Sequence, residues 1–148
     1  MDQDTVFLNK AFEYAKKAYQ KQEVPVGAIV VANGQIVGVG YNKKESQQQA
    51  FAHAECLAIQ RASRKMQTWR LSGCVLYTTL EPCPMCTGLI LQSRMARIVY
   101  GAQDLKWGAA GTVVDLTIPS LFNHAAEWVY LEQRQCQDIL TTFFKEKR

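Results

Sequence analysis

The dipeptide Asn33-Gly34 stands between two β-rich runs, residues 24–32 and 35–41. Asn-Gly is the pair that best tolerates the positive φ angles of a two-residue hairpin turn, so the chain is committed early to two adjacent antiparallel strands. What surrounds them is helical. Upstream, Phe7, Leu8, Ala11, Phe12, Ala15 and Tyr19 recur at helical spacing, with Lys16, Lys17 and Lys21 near the end, where cations suit the helix dipole. Downstream, the polar residues 42–49, with Gln47, Gln48 and Gln49 in a row, read as a loop leading into a helix over 52–65. Residues 75–79 are strand-like, Leu80-Glu81-Pro82-Cys83-Pro84 is a turn, and a helix over 84–94 starts on a proline, where no amide hydrogen is missed. Residues 97–102 and 127–131 read as two further strands and 133–147 as a closing helix. The glycine-rich residues 101–111 lack the pattern of a phosphate-binding loop. Strands with helices between the later ones indicate a layered α/β protein.

Length and composition narrow the class. A chain of 148 residues suits one domain, 1–148, and an aromatic content of 10% excludes the depleted profile of a disordered chain. The longest apolar run, residues 24–32, is far short of the roughly 20 residues of a membrane helix. The acidic start Met1-Asp2-Gln3-Asp4 is unlike a secretory signal, so a cytoplasmic protein is expected. The net charge of +4 is compatible with a phosphate-rich partner without requiring one. Five cysteines, an odd number in a chain large enough to fold without staples, point away from a disulfide framework and toward metal binding or catalysis.

Two of those cysteines carry chemistry. His53-Ala54-Glu55 and the later Pro82-Cys83-Pro84-Met85-Cys86 together read H-x-E…P-C-x-x-C, the signature of zinc-dependent nucleobase deaminases, tRNA adenosine deaminases among them. The physical logic stands apart from the signature. Cys83 and Cys86, three positions apart at a helix start, can turn both sulfurs to one side, where the positive helix end favours their thiolates. His53 makes a third ligand, and three protein ligands leave the fourth zinc position for water, as in catalytic sites. Water on zinc can reach a pKa near ~7, and Glu55 is the candidate to move its proton. On a helix, positions i and i+2 lie about 200° apart, so His53 and Glu55 converge only if the metal sits off the helix N-terminus. That agrees with a helix boundary near Ala52. Other readings stay open: a redox dithiol for the C-x-x-C pair, or a closed structural zinc site that recruits Cys56, Cys74, Cys136 or His124.

Further segments carry a resemblance. Val24-Pro25-Val26-Gly27-Ala28, Ala52-His53-Ala54-Glu55, Thr79-Leu80-Glu81-Pro82-Cys83-Pro84-Met85-Cys86, Ser93-Arg94 and Gly108-Ala109-Ala110-Gly111 run along nearly the whole chain. In these the chain resembles bacterial tRNA-specific adenosine deaminases of the TadA type. The resemblance implies the cytidine-deaminase-like three-layer fold with a mixed five-stranded sheet flanked by helices, and a homodimer. It also implies hydrolysis of the wobble adenosine of a tRNA anticodon, with arginine tRNA expected, to inosine and ammonia. Carried over by position, His53, Cys83 and Cys86 bind one Zn2+ per subunit and Glu55 shuttles the proton. Asn42 hydrogen-bonds the flipped base, Asp104 and Lys106 approach the ribose and backbone of the anticodon stem-loop, and Phe144 lies near the bound loop.

The chain departs from the pattern at Trp107, where a small hydroxyl residue is usual, and at Gln103, where an arginine is common. An exposed Trp107 would offer a stacking platform; a buried one would be packing. Arg61, Arg64, Lys65 and Arg70, with the terminal Lys145, Lys147 and Arg148, either steer phosphates or solvate the surface. The competing functions are a free-base or nucleotide deaminase acting on guanine, cytosine or cytidylate, and a non-catalytic zinc-stabilised interaction module.

Overall fold

The structure is a computed structural model and describes residues 2–147. Met1 and Arg148, the latter one of the terminal basic residues above, lie outside the described residues. Asp2 caps the first helix, its carboxylate accepting from the Thr5 N–H at 2.9 Å, and α1 follows over Gln3–Gln20. The hairpin forms as its turn residues demand, with φ of 51° at Asn33 and 78° at Gly34 between β1 (Gly27–Ala32) and β2 (Gln35–Tyr41). β1 begins later than the apolar run, because Pro25 has no N–H to give a ladder. Residues 42–49 contain one turn of helix that the polar composition hides, α2 (Lys44–Gln47). It forms because its first N–H groups find acceptors: Asn42 Oδ1 takes Lys44 N–H, and the buried Glu23 carboxylate takes those of Glu45 and Ser46.

The remaining elements are α3 (Ala54–Met66), β3 (Val75–Thr78), α4 (Pro84–Gln92), β4 (Arg97–Tyr100), β5 (Glu127–Tyr130) and α5 (Arg134–Glu146). The five strands form one mixed sheet in the order β2-β1-β3-β4-β5. β1 is antiparallel to both β2 and β3, while β3, β4 and β5 are parallel. α4 carries the crossover from β3 to β4, and residues 101–126 carry the next one without a regular helix. Helices flank this sheet on both sides, matching the fold expected from the resemblance.

Strand periodicity decides which side chain meets which layer. Ala28 and Val30 of β1, Leu76 of β3 and Ile98 of β4 join a core with Ala54, Ala58, Ile59 and Ala62 of α3 and Ile90 of α4. The alternate positions Ile29, Val31, Tyr77 and Val99 face Phe7, Leu8 and Ala11 of α1. α5 lies along α1, its Phe143 edge-on to Tyr19 with ring centroids 6.3 Å apart. Asp4 ties α1 across the sheet: its two oxygens accept from Arg97 at 2.7 Å each, and Tyr77 donates its hydroxyl at 2.8 Å. Those bonds, the Arg97 pair first, hold the Asp4 carboxyl below its ordinary range. No helix among the described residues is long and apolar enough to cross a membrane.

The contact that sets the depth of α3 is backbone against backbone. A Cβ on Gly40 would stand 2.4 Å from the Ala54 carbonyl oxygen and 2.7 Å from the Ala58 nitrogen, and one on Gly38 would stand 2.3 Å from the Ala58 oxygen. Two glycines on one face of β2 and alanines at four-residue spacing on α3 let the helix settle directly on the strand. Gly40→Ala is therefore expected to lower unfolding free energy by about 3 kcal/mol or more, since neither backbone can yield as a side chain would. Urea unfolding, with the midpoint falling at unchanged slope, checks this.

Candidate metal centre and active site

α3 and α4 start side by side. His53 is the N-cap of α3 with extended backbone (φ −79°, ψ 155°), and Cys83 is the N-cap of α4 (φ −75°, ψ 173°), followed by Pro84 in the first turn. Cys86 sits in that first turn, so the i, i+3 spacing delivers both sulfurs to the helix end that His53 faces. The donor atoms of His53, Cys83 and Cys86 lie within 4.8 Å of one another. His53 Nδ1 is 3.6 Å from Cys83 Sγ and 3.5 Å from Cys86 Sγ. A tetrahedral zinc with S ligands at about 2.3 Å and N ligands at about 2.0–2.1 Å has N···S edges of about 3.6 Å. Spacing and donor chemistry therefore both fit zinc.

Protonation within the group has the same cause. The Cys83 thiol is pulled down to about 4, chiefly by its hydrogen bond from Cys86 and then by His53, while Cys86 is pushed well up by its contacts with Cys56 and Cys83 and by burial. The bond to Cys83 raises His53. A divalent cation held by the three donors would displace their protons and leave both sulfurs as thiolates. Cys56 approaches Cys86, Sγ to Sγ 3.5 Å, and is buried beside Cys83, Cys86 and Leu89, yet stands outside the three-donor group.

Glu55 lies in the first turn of α3, buried at 4% exposure. Burial drives its carboxyl up to about 7, against the pull of His53; a cation on the three donors would add to that pull. Asn42 is also buried, its Nδ2 donating to the Val24 carbonyl at 3.3 Å and its Oδ1 accepting from Lys44 N–H at 3.1 Å. A primary amide has two donors and two acceptor sites, so one of each remains.

The segment holding Asp104 and Lys106 is joined to the metal-ligand turn by the Ala109 N–H, which donates to the Pro82 carbonyl at 2.9 Å. Asp104 Oδ1 accepts the N–H groups of Lys106 at 3.0 Å and Trp107 at 3.1 Å, closing a tight turn on itself. Trp107 is exposed at 65%, which decides between the two readings of its sequence position. Phe144 stands apart on α5, half-exposed and edge-on to Phe143 at 5.3 Å. Cys74 and Cys136 are buried, and His124 sits 2.8 Å from the Met95 carbonyl, away from the three donors. Arg61, Arg64, Lys65 and Arg70 are exposed, with Arg61 donating to the Val39 carbonyl.

Glu81 is the residue that sequence reasoning overlooked. Its carboxylate, 1% exposed, accepts from the N–H groups of Asp104, Ala110 and Thr112 and from the Thr112 hydroxyl. A charge buried this deeply requires such partners. The available signal was a lone charge within an otherwise uncharged turn, Thr79-Leu80-Glu81-Pro82.

Comparison with known proteins agrees with this geometry. The model of the MafB19-like deaminase family matches residues 1–148. The tRNA-specific adenosine deaminase of Bacillus subtilis (strain 168) is 45% identical over 149 residues, covering 100% of this chain and 92% of that protein. That of Aquifex aeolicus (strain VF5) is 40% identical over 142 residues, covering 96% of this chain and 94% of its own. A solved structure from studies of A-to-I editing by tRNA:A34 deaminases superposes with a TM-score of 0.86 at 36% identity, covering 92% of this chain and 99% of that one. With a full-length family match and relatives this close bearing one name, the chain belongs to the MafB19-like deaminases and, among them, to the tRNA-specific adenosine deaminase family.

Proposed function

We propose that residues 1–148 act as one domain that hydrolyses adenosine to inosine at the wobble position of a tRNA anticodon, releasing ammonia. The observation that carries this is the meeting of His53, Cys83 and Cys86 at two helix starts with the buried Glu55 carboxylate beside them. His53 Nδ1 and the two sulfurs would hold one zinc ion per subunit. Zinc there supplies the Lewis acidity that makes water nucleophilic at neutral pH.

The chain's own groups do the rest. Glu55 takes a proton from the attacking water and gives it to the purine ring nitrogen next to the reacting carbon, then carries the added hydroxyl's proton to the amino group, which leaves as ammonia; its burial keeps bulk water from competing for those protons. Asn42 offers its remaining N–H and acceptor site to the base edge, and its two bonds to Val24 and Lys44 lock the amide in one orientation. Asp104 and Lys106 meet the ribose and phosphates of the anticodon stem-loop, and Phe144 lies near the bound loop. A flipped base is needed to reach so enclosed a carboxylate, which favours an unpaired loop over a duplex. Such a substrate sets the reaction in the cytoplasm.

The assembly we propose is a homodimer formed over the groove between α3 and α4. Two adjoining hollows of about 340 and 330 Å³ share Cys56, Gln60 and Leu89, and the exposed Phe51, Met85 and Trp69 border them. This strip lies against the metal-ligand turn, so a second copy there would shield the site. Light scattering should return twice the chain mass, and Met85→Glu combined with Leu89→Glu should return one; a monomeric parent protein overturns the assembly.

The deciding assay is inosine formation on an arginine tRNA transcript with adenosine at the wobble position, beside free adenosine, guanine and cytidine. Product from the tRNA alone is expected, and product only from a free base or nucleoside moves the protein to the small-molecule branch. Glu55→Gln should keep zinc and fold while turnover falls about 100- to 10,000-fold. In Cys83→Ala, metal analysis should find zinc well below one equivalent; full occupancy removes Cys83 from the ligand set.

A further inference from the structure

Leu105 and Trp107 are the two most exposed large apolar side chains of the protein's described residues, at 81% and 65%, and Lys106 stands between them. Such exposure on a floppy loop would mean little, but this loop is built. Asp104 Oδ1 binds the N–H groups of Lys106 and Trp107, Gly108 N–H returns to the Asp104 carbonyl at 3.0 Å, and Asp104 N–H is held by Glu81. There is no slack at Gly108, where a Cβ would lie 2.5 Å from the Glu81 carboxyl carbon and from the Asp104 oxygen. The next residue, Ala109, bonds to the carbonyl of Pro82, the neighbour of Cys83. The indole is therefore displayed from a pinned turn one hydrogen bond away from the metal-ligand turn.

We propose that Trp107 is a specificity-determining residue that stacks on the nucleobase adjoining the reacting adenosine, with Lys106 set to meet the phosphate between them. This rests on the RNA deaminase reading above. An indole face accepts any base, and a side chain pre-set by its backbone loses little freedom on stacking. The platform would favour a nucleotide embedded in a strand over a free nucleoside, which has no neighbour to stack.

The test uses Trp107→Leu, which stays apolar but loses the flat face, and Trp107→Phe, which keeps one. With an anticodon stem-loop, Trp107→Leu should raise KM roughly 5- to 150-fold with kcat nearly unchanged, and Trp107→Phe should recover most of the loss. A stem-loop carrying 2-aminopurine at either neighbour of the wobble position should lose fluorescence on binding the parent protein at one of them, and not on binding Trp107→Leu. Inosine formation with unchanged KM and unchanged quenching in Trp107→Leu overturns the inference alone. Quenched binding without inosine overturns the deaminase reading and leaves only the stacking of Trp107 on a base beside the wobble position, and absence of binding overturns both. A change of oligomeric state in Trp107→Leu also overturns the inference, because it assigns the ring to a second copy of the chain.

Discussion

Everything at the candidate site hangs from the depth at which α3 rests on the sheet. Gly38 and Gly40 on β2, facing Ala54, Ala58 and Ala62, remove the side chains that usually separate a helix from a strand. Backbone then sets the spacing in place of side-chain volume, and backbone is much stiffer. The start of α3 thus falls where α4 begins, and His53 meets Cys83 and Cys86 at distances of 3.5 and 3.6 Å.

Two helix starts converging on one point create an electropositive pole with few charges of their own to balance it. Nature's usual occupants of such a pole are anions, and here the Cys83 sulfur is drawn toward the thiolate while contacts and burial hold Cys86 and Glu55 toward their protonated forms. As anions all three would repel one another in a buried place, and a divalent cation would relieve that repulsion. The same arrangement that makes the donors costly to bury alone makes them strong ligands together.

The loops around the site are ordered from inside by two buried carboxylates. Glu23 caps α2, next to Asn42, and Glu81 gathers the N–H groups of Asp104, Ala110 and Thr112. Each replaces the hydrogen bonds that an irregular segment cannot make with itself. Residues 101–126, a crossover with no regular helix, can then present Asp104, Lys106 and Trp107 from a firm base. Ordered loops of this kind place polar groups at a substrate with little loss of freedom on binding.

The sequence by itself determined the local pieces: the Asn33-Gly34 turn, the continuous apolar run of β1, the helical spacing of α1, and the H-x-E and C-x-x-C motifs. Each depends on neighbours within a few positions, where backbone preference and period carry the information. It left α2 hidden, because that turn exists through Glu23, twenty-odd positions upstream, and it left Glu81 unremarked for the same reason. The parallel order of β3, β4 and β5, the exposure of Trp107 and the separation of Phe144 on α5 from the donor cluster belong to the tertiary structure. So does the choice between three donors and four, since Cys56 differs from Cys83 and Cys86 by where its sulfur comes to rest rather than by what it is. Ligand geometry is a property of distances between helices, and those distances arise only once glycine, alanine and the sheet have been packed against one another.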